Sequence, residues 1–132
     1  MVVRDCHIRI DREGNWFYNN SPITNKSVWL YFTRHIAKDK QGKYLLQTKN
    51  QVLPLEVEDT PFIIKHFSII SSIPPKLNVL LSDKTEEIVA WDSIWVQNEK
   101  DIYCLIKDGA FEARFNRDRQ FKLGDRLECD QL

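Results

Sequence analysis

The sequence predicts an α+β protein of two small, strand-rich lobes. The first is a curved antiparallel sheet wrapped around a central helix (ββαββ), and the second is mostly strands with a short C-terminal helix. Three observations predict this. Val28, Trp29, Leu30, Tyr31 and Phe32 run without interruption inside a helical segment, residues 25–37. Successive helix residues rotate by about 100°, so five in a row go right round the cylinder, and such a helix needs cover on most sides. Strand-like sequence flanks it at residues 7–18 and 43–57. After Glu58-Asp59-Thr60-Pro61 the pattern is almost all strand, which divides the chain into residues 1–58 and 59–132.

The elements follow in order. Cys6, Ile8 and Ile10 alternate with His7 and Arg9, the period-two signature of a half-buried strand. Asp11-Arg12-Glu13-Gly14 suits a type I turn ending in a glycine at positive φ, and Trp16-Phe17-Tyr18 returns as the partner strand. Thr24 or Asn25 can cap the helix, and Arg34, His35 and Lys38 complement its C-terminal dipole. Asp39-Lys40-Gln41-Gly42 repeats the Asp-x-x-Gly spacing before the strand at residues 43–48. Leu53, Leu55 and Val57 alternate with Pro54, which has no N–H to donate and so fits an edge or bulge.

In the second half, residues 62–70 read as a strand buried on both faces. Leu77, Val79 and Leu81 start another strand, and residues 87–90, 94–96 and 102–107 are further candidates. Asp108-Gly109 signals a two-residue hairpin into Phe111, Ala113 and Phe115, with Glu112 and Arg114 on the exposed face. Residues 117–123 form the expected closing helix, stopped by Gly124.

Composition narrows the function classes. The 132 residues are 42% hydrophobic and 29% charged, an ordinary globular balance. No apolar run approaches the roughly 18 residues of a membrane span, and no signal-peptide core opens the chain. The expected location is the cytoplasm, without membrane association. Three cysteines, Cys6, Cys104 and Cys129, show no Cys-x-x-Cys spacing, so neither a metal centre nor a redox pair is expected. Net charge is zero, yet residues 1–50 carry +5 and residues 51–132 carry −5. The basic half can attract an anionic ligand, and complementary ends can attract each other in a homo-oligomer.

Residues 7–11, 14, 16–19 and 21–23 resemble the opening of an uncharacterised bacterial family known as domain of unknown function 1285. The resemblance continues through residues 57–62 and 108–115 and covers nearly the whole chain. It implies two similar lobes, each a curved sheet around a helix, and a role in signal transduction. It supplies no catalytic residues. The short N-terminus and Cys129-Asp130-Gln131-Leu132 depart from the family pattern.

Catalytic candidates are few. Glu56, Glu58 and Asp59 form an acidic cluster with His66 beyond it, which a hydrolase-like enzyme can use as general base. The same carboxylates are explained by a solvated turn before Thr60-Pro61. His7, His35 and His66 lack metal-ligand spacing. No phosphate-cradling loop or nucleophile elbow occurs, and only four glycines are present. Trp16, Tyr18, Trp91 and Trp95 can line a groove for a planar ligand or peptide, or pack as core. A pI near 6.8 lacks the footprint of a general nucleic-acid binder. The expectation is a non-catalytic module without cofactor or metal that binds a small ligand or protein partner. Its candidate contacts are Trp16, Tyr18, Glu58, Asp59 and Arg114. The enzyme is the alternative, and nucleic-acid binding a third reading.

Overall fold

The computed structural model describes residues 7–98 and 100–116. These residues form two compact units on either side of the Pro61–Phe62 bond.

The first unit holds β1 (Ile8–Ile10), β2 (Trp16–Tyr18), β3 (Ser21–Pro22), α1 (Lys26–Thr33), β4 (Ile36–Lys38), β5 (Tyr44–Gln47) and β6 (Val52–Val57). Its six strands run in the order β3-β2-β1-β6-β5-β4. Both Asp-x-x-Gly turns form as their spacing predicts. Asp11 N donates to Asn15 O and Gly14 N to Asp11 O at 2.9 and 3.1 Å. Asp39 repeats both bonds with Lys43 and Gly42 at the same distances. Each aspartate carboxylate also accepts two amides of its own turn. Gly14 and Gly42 sit at φ 86° and 82°, where a side chain is strained.

The expected α+β fold with an enclosed helix is overturned. The described residues are mostly strand, with twelve strands, one α-helix and one 3-10 turn. Asn25 caps α1 through its side-chain oxygen, 2.9 Å from Ser27 N. The helix then lasts eight residues instead of thirteen. It stops at Arg34 because Ile36-Ala37-Lys38, the first two of them expected in the helix, pairs with Leu46, Leu45 and Tyr44. Tertiary pairing outweighs local propensity there. Trp29 and Phe32 pack against the core of Ile8, Ile10, Trp16, Leu46 and Leu55. Val28 and Tyr31, on the adjacent stripe, are 39% and 50% exposed. The helix therefore lies on one sheet face with its outer side in solvent.

The sheet is also not wholly antiparallel, because β1 pairs in parallel with β6 (Ile8↔Leu55 to Ile10↔Val57). Pro54 explains how β6 changes partners. Residues 52–54 pair with β5 and residues 55–57 with β1, so the residue that cannot donate sits at the handover.

The second unit holds β7 (Phe62–Ser72), β8 (Pro75–Leu81), β9 (Glu86–Ala90), a 3-10 turn (Trp91–Ser93), β10 (Ile94–Gln97), β11 (Asp101–Ile106) and β12 (Phe111–Phe115). Its order is β10-β11-β12-β7-β8-β9. Read from the other edge, this is the first unit's topology. Two three-stranded meanders join through a parallel pair of first and last strands, here Phe62–Ile64 with Ala113–Phe115. The 3-10 turn takes the place of α1 in the repeat. Residues 117–123, the expected closing helix, lie outside the described residues.

Residues 62–64 are buried on both faces, but β7 then bulges after Ile64 and exposes Lys65 and His66. The Asp108-Gly109 hairpin is a four-residue loop instead of two, with Ile106 opposite Phe111 and Lys107, Asp108 and Gly109 all at positive φ.

Candidate functional site

In the first unit, strand alternation sends Ile8, Ile10, Leu55 and Val57 inward and His7, Arg9, Glu56 and Glu58 outward. The parallel β1–β6 pairing brings the outward groups together. His7 Nε2 lies 2.7 Å from Glu56 Oε2, and Arg9 Nη1 lies 3.9 Å from Glu58 Oε2. The Arg9 guanidinium also covers the Phe17 ring at 4.3 Å. Arg12 N donates to Glu58 Oε2 at 3.2 Å, which ties the β1–β2 turn to the end of β6. His7 and Arg9 were legible as outward residues, but their carboxylate partners were not, because nothing local encodes a parallel pairing across 47 positions.

The candidates divide between the units. Trp16 is a core residue, 5% exposed, with Phe32 at 5.8 Å between ring centroids. Tyr18, on the same strand face, is 45% exposed because it lies at the strand end opposite Ser21. Glu58 is exposed and Asp59 half-buried, both after β6. Arg114 belongs to the second unit, as does the exposed His66.

Arg114 does not occupy an exposed strand face; it is 2% exposed. β12 runs between β11 and β7, and Arg114 is flanked by buried Tyr103 and Ile63. Tyr103 in turn stacks on Trp95 with centroids 5.7 Å apart. A row Trp95-Tyr103-Arg114-Ile63 thus crosses four strands. Arg114 Nη1 donates to Phe115 O at 3.4 Å. Its charge and that of Lys84 add to desolvation, the larger cause, in holding the Lys65 ammonium below its ordinary pKa.

Sequence reasoning missed a polar cluster around the buried Asp83 in the second unit. Asp83 Oδ2 and Lys107 Nζ are 3.0 Å apart, joining the β8–β9 and β11–β12 turns. Thr85 donates its amide and hydroxyl to Asp83 Oδ1. Lys107 N donates to Glu87 Oε1 at 2.8 Å although β9 and β11 are not sheet neighbours, so this sheet is curled. Burial raises the Asp83 pKa, but the Thr85 bonds and Lys107 together outweigh it, leaving the carboxyl below its ordinary range. The one available signal was Asp83 two residues before Thr85, the spacing of a side-chain-capped turn. Cys104 is a free thiol, buried on β11, pushed up to about 12 by desolvation and then by the Glu87 charge.

The family model for the N-terminal domain of "domain of unknown function (DUF1285)" matches residues 2–60. Those residues are similar to a DUF1285 N-terminal domain. The likeness extends along the fold to two crystal structures of DUF1285 family proteins. One, from Silicibacter pomeroyi DSS-3, has a TM-score of 0.76 at 20% identity over 92% of this chain and 69% of that one. The other, from Shewanella baltica OS155, has a TM-score of 0.73 at 19% identity over 91% of both chains. At such identities the likeness shows a shared DUF1285 fold. No match was found among curated proteins. Among the described residues, no helix is long and apolar enough to cross a membrane.

Proposed function

We propose that this DUF1285 protein is a non-catalytic cytoplasmic module of bacterial signal transduction that binds a small ligand or a protein partner. The DUF1285 resemblance supports the signalling role. One observation carries the preference for binding over catalysis. Glu58, central to the enzyme alternative, is engaged in the fold: its carboxylate receives the Arg12 amide and faces Arg9. Tyr18 supplies an exposed aromatic surface of the kind that meets ligands or partners. In this reading Trp16 backs Tyr18 from the core, while Glu58 and Asp59, beyond the Ile10 end of β1, form a second candidate contact apart from Tyr18, which pairs with Ile8, and Arg114 serves the second unit.

The test is a thermal-shift screen of small metabolites, with each hit recovered and weighed by mass spectrometry. Saturable stabilisation, reduced in Tyr18→Ala, with the ligand recovered unchanged, is the expected result. Conversion of a hit that Glu58→Gln with Asp59→Asn abolishes gives the enzyme reading instead.

A further inference from the structure

We infer that the corner formed by α1, β4 and β5 is a docking surface for an acidic protein segment with apolar side chains at its centre. This goes beyond the ligand reading above and is built from other residues.

Charge supports it. Residues 26–49 hold six Lys or Arg and a single Asp. Lys26, Arg34, Lys38, Lys40, Lys43 and Lys49 are all exposed. The lone carboxylate, Asp39, is turned into its own hairpin, accepting the Gln41 and Lys43 amides. Local potential there is therefore positive although the chain is neutral overall, and such a patch attracts an oppositely charged partner.

Geometry joins the elements that carry these charges. Only Arg34 and His35 separate α1 from β4, and Gln47 N donates to His35 O, fixing the junction onto β5. Ile36 and Leu46 share the core that Trp29 and Phe32 join, so helix and hairpin lie on one another. Lys38 extends over the Tyr44 ring, 5.4 Å from its centroid.

The outer helix face adds an apolar centre. Val28 and Tyr31 are one turn apart and exposed, and Tyr31 is steadied by the His35 ring at 4.3 Å. An exposed apolar pair on a segment whose other exposed side chains are mostly cationic fits an acidic partner with an apolar centre. Nucleic acid fits less well: bases need stacking faces, and here Tyr31 and Tyr44 already carry His35 and Lys38.

The experiment is fluorescence anisotropy with a labelled Glu-rich peptide bearing Leu and Phe at its centre. Alongside it run a labelled dT oligonucleotide and light scattering of the chain alone. The expected result is saturable peptide binding that weakens with salt. Lys40→Glu with Lys43→Glu weakens it at least tenfold, and Tyr31→Ala weakens it at low and high salt alike. Lys40→Gln with Lys43→Gln gives a smaller loss and serves as the reading if the charge reversal unfolds the chain. No saturable binding, or binding that neither pair changes, overturns the proposal. Tighter binding of the oligonucleotide overturns it in favour of nucleic acid. Self-association abolished by the charge reversal, without peptide binding, overturns it in favour of a second copy.

Discussion

Asp83 shows how a single residue can organise a unit without announcing itself in the sequence. Its carboxylate joins two turns through Thr85 and Lys107. Losing the charge-assisted bonds of this buried carboxylate costs about 2–3 kcal/mol, so Asp83→Asn should lower the melting temperature at neutral pH. Because the folded carboxyl lies below its ordinary value, its contribution is present above about pH 4, the unfolded value. It is lost as pH falls through the folded value, so the gap between wild type and Asp83→Asn should close on acidification. A gap constant down to pH 2 refutes the assignment. Cys104 gives a second residue-scale expectation. Buried, with a thiol near 12, it should resist alkylation at pH 8 in the folded chain and label rapidly in denaturant. Fast labelling of Cys104 under native conditions contradicts its burial. That burial was legible from Ile102-Tyr103-Cys104-Leu105-Ile106, whereas that of Arg114 was not. Alternation with Phe111, Ala113 and Phe115 correctly set it on the opposite face, but sequence does not say that this face is covered too.

Among the elements, the two Asp-x-x-Gly turns were legible, and the surroundings of the helix were not. Asp11 and Asp39 dictate their turns through bonds spanning at most four residues, so their spacing suffices. The apolar run 28–32 correctly marked a helix, but covering it on every side was an inference about the sheet. Trp29 and Phe32 satisfy the core, while Val28 and Tyr31 remain in solvent. The energetic consequence is an unequal helix. Phe32→Ala removes a ring packed against Trp16 and should cost about 2–3 kcal/mol, below the usual range for a fully buried aromatic. Tyr31→Ala should cost under about 1 kcal/mol, as for an exposed position. Denaturant unfolding of the two variants checks the order, and equal losses restore the enclosed helix.

For the whole molecule, both units place their first and last strands side by side at the sheet centre. In each, two local meanders can be read from alternation and turns, but the parallel pair that welds them cannot. Ile8–Ile10 pairs with Leu55–Val57 across 47 positions, and loop closure of that length leaves no local signature. The central pair should therefore set cooperativity within a unit. Leu55 is buried, lies just past the handover at Pro54 and faces Ile8. Leu55→Ala should cost about 2–4 kcal/mol. If the six strands unfold as one, native-state hydrogen exchange in the variant should accelerate in β2 as well as β5, although neither touches the other in the sheet. Acceleration confined to β5 and β6 would mean that the meanders are separate folding units, and the parallel pair a weak seam instead of the centre of the sheet.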